Sequence, residues 1–104
     1  QHMSVVQDEA FGPLCIVESV DSIEAAIHLV NDSRYGLQVG VFSNSLSTMQ
    51  QCFSALEVGG VIMNDVPGFR VDAMPYGGVK YSGVGREGPK YAMEEMSEMR
   101  LLVY

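Results

Sequence analysis

The chain has 104 residues, 47% hydrophobic and 18% charged, a composition that suits one small globular domain and excludes a disordered tail. Its net charge is −7, six Lys/Arg against thirteen Asp/Glu, so it lacks the basic face a nucleic-acid binder needs, and the acidity serves solubility. No apolar run is long enough for a membrane helix, no signal peptide is visible, and Cys15 and Cys52 stand far apart without a CxxC partner. With only His2 and His28 beside them, a structural zinc site is not expected. Both cysteines sit among apolar residues and read as buried thiols, in a reducing, cytoplasmic compartment.

Residues 1–3, QHM, read as a cloning remnant and are set aside. Gly12-Pro13 is a breaker, and the four apolar residues that follow, 14–17, predict a strand covered on both faces. Residues 21–32 predict a helix, with Ile23, Ala26, Ile27 and Val30 on one stripe and an Asp21…Glu24 capping-box-like start. His28 lies beside that stripe and reads as a surface or satisfied histidine. Residues 31–36, NDSRYG, stop the helix with turn chemistry, and 37–42 predict a second strand. Ser43-Asn44-Ser45 offer N-caps for a second helix whose core stripe is Leu46, Met49, Phe53 and Leu56. Gly59-Gly60 ends it, and 61–63 predict a third strand.

The order strand–helix–strand–helix–strand gives two βαβ units, hence an α/β fold: a parallel sheet covered by helices, with functional groups at the carboxyl ends of the strands. Residues 69–88, FRVDAMPYGGVKYSGVGREG, leave the third strand there. This stretch mixes Gly77, Gly78, Gly83, Gly85 and Gly88 with large aromatic and charged groups, unlike a featureless linker, and reads as a functional loop. Its GVGREG run, 83–88, matches GxGxxG only superficially: no strand leads directly into it and no βαβ unit surrounds it, so it is not a dinucleotide fingerprint. Gly88-Pro89 starts a third helix, with Ala92, Met96 and Met99 as its stripe and Glu94, Glu95 and Glu98 toward water. Residues 99–104 predict a terminal strand that pairs outside the main sheet, with another subunit.

No nucleophile–base pair or metal-ligand spacing emerges from the residues alone. The ordered motifs EAFGP at 9–13, NDSRYGL at 31–37, GVF at 40–42, GVIMND at 60–65, MPYGGVK at 74–80, Ser82-Gly83 and GREG at 85–88 together resemble the C-terminal part of an NAD(P)-dependent aldehyde dehydrogenase. Residues 64–78 look most like the lactaldehyde and non-phosphorylating glyceraldehyde-3-phosphate branch. The resemblance implies that residues 4–96 are the later part of the catalytic domain and 97–104 an oligomerisation strand. It implies NAD or NADP as cofactor, a small aldehyde as substrate and a homo-oligomer.

In that family the glutamate of ExFGP binds the nicotinamide-ribose hydroxyls, and here it is Glu9; a carboxylate can accept from two vicinal hydroxyls. The family's phenylalanine of the same motif packs on the nicotinamide, and here it is Phe11. Without the resemblance, Glu9 is a solvated carboxylate and Phe11 a core residue. The family's substrate-tunnel aromatic falls at Tyr76, with Phe69 beside it in the variable part of the loop. Arg70 either holds an anionic end of the substrate or pairs with Asp72 or Asp65 for the fold. The family's catalytic cysteine, general base, oxyanion-hole asparagine and dinucleotide domain lie upstream of this segment, and neither Cys15 nor Cys52 matches the nucleophile. The chain alone is therefore expected to be inactive; the rival reading is a stand-alone binding or assembly module.

Overall fold

A computed structural model describes residues 3–104. Gln1 and His2, most of the expected cloning remnant, lie outside the described residues. The elements are helix α1 (Ser4–Gln7), helix α2 (Ile23–Asn31), strands β1 (Tyr35–Gly36) and β2 (Gln38–Val41), helix α3 (Leu46–Ala55), strands β3 (Gly60–Met63) and β4 (Val79–Lys80), and helix α4 (Pro89–Glu95).

Both long helices start on a serine. Ser22 caps α2 by accepting from the Ala25 N–H at 3.1 Å, so the cap is one residue later than the Asp21 that the capping-box pattern suggested. Ser45 caps α3 by accepting from the Thr48 N–H at 3.3 Å. Ile27 of α2 and Cys52 of α3 are the buried apolar side chains among the described residues, and Cys52 is 1% exposed. Asn31 joins the C-terminal ends of the two helices. Its Nδ2 donates to the Ala55 carbonyl at 2.8 Å, and its Oδ1 accepts from the Glu57 N–H at 2.9 Å.

α3 connects β2 to β3, which pair in parallel from Gln38↔Gly60 to Val41↔Met63; this is one complete βαβ unit. The other pair is antiparallel: β1 meets β4 with Tyr35 opposite Lys80 and Gly36 opposite Val79. Lys80 adopts φ 54°, and its Nζ reaches the carbonyls of Asn31 at 2.7 Å and Ser33 at 3.0 Å and the Glu57 carboxylate at 3.0 Å. A cation on the end of α2 satisfies carbonyls that the helix leaves without partners.

The glycine-rich segment packs through its backbone. A Cβ on Gly59 would collide with the carbonyl oxygen of Gly77, so β3 can start against this loop only because residue 59 has no side chain. Gly88, the N-cap of α4, has φ 115° and hands the chain to Pro89 at the first helical position.

Several expectations are corrected. Residues 14–17 form no strand: Leu14 is 65% and Val17 88% exposed, and no strand among the described residues pairs with them. The sheet therefore has one βαβ unit rather than two. Residues 99–104 are exposed and pair with no strand of this chain, which is compatible with the expected pairing outside the main sheet. Cys15 is exposed while Cys52 is buried. Leu46 and Phe53 point out of the core, at 69% and 72%, as do Met96 and Met99. The chain exposes 8402 Å², whereas a monomeric protein of this mass exposes roughly 5,700 Å². Its Cα radius of gyration is 17.1 Å, against about 13 Å for a compact chain of this length. Many apolar faces thus find no cover in the chain itself.

Candidate functional site

The loop that follows β3 begins at Asn64, in the left-handed conformation at φ 57°. The Asn64 Oδ1 accepts from the Ser43 N–H at 2.9 Å, and the Asn64 N–H donates to the Val41 carbonyl at 2.7 Å, so the loop is fastened at the carboxyl ends of β2 and β3. It does not stay there. Gly40 leaves room for the Asp65 carbonyl and the Pro67 ring to lie across β2. Gln38, the first residue of β2, then donates from Nε2 to the carbonyls of Pro67 at 2.7 Å and Phe69 at 3.2 Å. By Phe69 the loop has returned to the amino end of the strand pair, where Gly77 also meets Gly59. The carboxyl-end rule predicts where the loop leaves, and the missing side chain at Gly40 explains why its later residues lie elsewhere.

Tyr76 and Glu87 form a two-way backbone bridge, Tyr76 N–H to the Glu87 carbonyl at 3.1 Å and Glu87 N–H to the Tyr76 carbonyl at 2.6 Å. Arg70 lies over this bridge. Its guanidinium carbon is 5.3 Å from the centre of the Tyr76 ring, and one guanidinium nitrogen is 3.4 Å from a Glu87 carboxylate oxygen. The pairing is therefore with Glu87, not with Asp72 or Asp65 as the sequence suggested. At 3.4 Å the contact is long for a charge-assisted hydrogen bond, and both side chains are at least half exposed, so it holds the arginine loosely. Phe69 is 44% exposed.

Glu9 and Phe11 follow α1 in an exposed segment, and Phe11 is 95% exposed. Phe11 is thus not a core residue. The Glu9 carboxylate makes no hydrogen bond or ion pair among the described residues. Glu9 lines a cleft of about 690 Å³ together with Asp8, Arg34, Tyr35 and Ser82. Ser82 belongs to the glycine-rich loop, and its Oγ accepts from the Gly36 N–H at 2.9 Å. Glu9 and the loop therefore share one cleft, while Phe69, Arg70 and Tyr76 lie on a separate part of the loop.

Sequence reasoning passed over Arg34, which makes a 2.9 Å ion pair with Asp8 and stands 5.4 Å from the Tyr35 ring centre. It also passed over the Glu24–Gln51 bond of 2.7 Å between α2 and α3. The Gln51 amide, helped by Glu24's own backbone and Ser22, holds the Glu24 carboxyl below the usual 4.5. Their partners are 26 and 27 residues away in the chain, and no local spacing announces such pairs. Among the described residues no group of His, Cys, Asp and Glu is arranged to hold a metal, and no helix is long and apolar enough to cross a membrane.

The family model described as "Aldehyde dehydrogenase family" matches residues 1–102. A 3-sulfolactaldehyde dehydrogenase from Priestia aryabhattai is 52% identical over 101 residues, covering 97% of this chain and 21% of that protein. The solved structure of the glyceraldehyde-3-phosphate dehydrogenase GapN from Methanocaldococcus jannaschii, complexed with NADP, is 51% identical with a TM-score of 0.70; the match covers 72% of this chain and 16% of that one. The NAD+ complex of an aldehyde dehydrogenase from Bacillus cereus is 39% identical with a TM-score of 0.87, over 93% of this chain and 20% of that one. The chain spans about a fifth of the length of the curated relatives it matches.

Proposed function

Because this chain belongs to the aldehyde dehydrogenase family, we propose that it is the C-terminal part of a cytoplasmic enzyme that oxidises a small aldehyde to a carboxylic acid with NAD or NADP. In this reading residues 4–96 complete the catalytic domain, and 97–104 become an oligomerisation strand once a second chain offers an edge. The nucleophilic cysteine that would carry the acyl group as a thioester, and its general base, come from the preceding part of the enzyme. The chain alone is inactive.

The observation that carries the proposal is the cleft shared by Glu9 and Ser82 of the glycine-rich loop. Glu9 presents an uncommitted carboxylate there, and Phe11 presents an uncovered ring two residues on. Both suit a nicotinamide riboside: a carboxylate accepts from two vicinal hydroxyls, and a flat ring limits where the nicotinamide sits. The cofactor, when bound, takes a hydride from the substrate carbon. Glu9 and Phe11 orient it.

Phe69 and Tyr76 form an aromatic wall of the substrate tunnel, and Arg70 holds the anionic end of the aldehyde. The loose Glu87 contact supports that role, because a sulfonate, phosphate or carboxylate can replace the glutamate while Tyr76 keeps the guanidinium in place. Two of the relatives are named for anionic aldehydes, 3-sulfolactaldehyde with a sulfonate and glyceraldehyde 3-phosphate with a phosphate, while others are named for the uncharged lactaldehyde. The test is turnover by the complete enzyme and by this chain alone, with NAD and NADP, on charged and neutral short aldehydes. The complete enzyme should reduce cofactor, and this chain should not. Arg70→Ala should raise KM at least about tenfold for charged aldehydes only, the loss expected for a charged hydrogen-bonded contact. An equal loss on neutral aldehydes would remove Arg70 from recognition, and robust turnover by this chain would overturn the proposal.

A further inference from the structure

We infer that Arg34 is a positioning residue for Glu9, acting through Asp8, and that it links the cofactor carboxylate to the glycine-rich loop. The inference rests on the reading of Glu9 as the ribose-binding group.

Arg34 is fixed at its backbone and reaches outward with its side chain. Its carbonyl accepts from the Tyr81 N–H at 3.0 Å, directly beside the Tyr35↔Lys80 pair of β1 and β4. Lys80 grips the Asn31 and Ser33 carbonyls just before it. The backbone of 31–35 is therefore held by residues 80 and 81 of the loop. From this anchor the guanidinium crosses to the Asp8 carboxylate at 2.9 Å.

Asp8 is the C-cap of α1, with its N–H on the Ser4 carbonyl at 2.8 Å, and Glu9 is the next residue. Residues 9–20 are exposed throughout, and the hydrogen bonds found within 9–16 are local ones. Within this chain, an ion pair one residue before Glu9 thus restrains a carboxylate that no other hydrogen bond or ion pair of residues 9–20 with the rest of the described chain holds. A carboxylate held in place binds with less loss of freedom than one that must be ordered on binding. The pair is exposed, 48% for Arg34 and 67% for Asp8, so its effect is modest and salt-sensitive.

The experiment has two arms. In this chain, hydrogen exchange of the hydrogen-bonded amides of Asp8 and Gly12 should quicken about two- to fivefold in Arg34→Ala at low salt, the ceiling an exposed pair allows. In the complete enzyme, equilibrium titration should show NAD(P) affinity falling by about the same factor. Aldehyde KM and melting temperature should not move. Arg34→Lys should restore most of both effects, and adding Asp8→Asn to Arg34→Ala should cost nothing more. Unchanged exchange and affinity in Arg34→Ala would overturn the inference. So would a loss matched in aldehyde KM and melting temperature. Glu9→Gln separates the two claims. If it weakens the dinucleotide while Arg34→Ala does not, only the positioning role falls; if Glu9→Gln changes nothing, the cofactor reading falls and takes the inference with it.

Discussion

Replacing Gly59 by alanine tests the packing that seats the glycine-rich loop. The new Cβ would overlap the Gly77 carbonyl oxygen and lie 2.8 Å from the Gly77 carbonyl carbon and 3.0 Å from the Gly78 Cα. All three are backbone atoms, so no side chain can swing away. Retreat in the other direction stretches the hydrogen bond from the Gly59 N–H to the Gly36 carbonyl, now 3.1 Å. Overpacking costs about 1–3 kcal/mol, and a weakened backbone hydrogen bond adds about 1 kcal/mol. We expect Gly59→Ala to lose about 2–4 kcal/mol, with each kcal/mol worth about 4–8 °C in a chain of this size. The assay is urea unfolding followed by far-ultraviolet circular dichroism, at one fixed protein concentration because association shifts apparent stability. Gly68→Ala is the control: nothing lies within 4 Å of a Cβ built there, and its effect should stay within about 0.5 kcal/mol. A Gly59→Ala protein within that same margin of the parent would refute the reasoning, as would an equal loss from Gly68→Ala.

Three further outcomes are expected. Lys80→Met removes the donor to two carbonyls and the Glu57 carboxylate, and should destabilise by about 1–3 kcal/mol in the same assay; no change would mean those carbonyls find water at no cost. Glu24 titrates below 4.5 in the folded chain, so its bond to Gln51 contributes stability above that pH and loses it as pH falls through the folded value. Gln51→Ala should therefore raise the Glu24 pKa toward 4.5 in an NMR titration and flatten the acid limb of the stability curve, and an unmoved Glu24 titration would contradict the assignment. Light scattering should find this chain as a dimer or larger, given its uncovered apolar faces, and a clean monomer would count against the oligomerisation proposal.

The elements that the sequence made legible are those whose information is local. α2, α3, β2 and β3 announce themselves through periodicity, serine caps and glycine stops, and each falls within a residue or two of its expected place. What was hidden depends on partners. Apolar residues 14–17 and the outward Phe53 show that surface wants cover without saying what covers it. The β1–β4 pair has two residues per strand, too short for any alternation to register. Arg70 has Asp65 and Asp72 close in sequence, yet the Tyr76–Glu87 backbone bridge brings Glu87 to it from 17 residues away. The ordered motifs spelled out the family. Where Glu9 and the loop meet became visible only with Ser82 and Arg34 beside the same cleft.

The surplus of exposed surface, roughly 2,700 Å² over a compact chain of this mass, has a consequence for this chain on its own in solution. It exceeds what a standard protein–protein interface buries, about 1,600 Å² in total. The folded fraction is then set by mass action: it rises with the concentration of whatever covers those faces and falls on dilution. An isolated chain with that much uncovered apolar surface is open to aggregation and proteolysis, so its half-life in solution should lengthen when a covering surface is added.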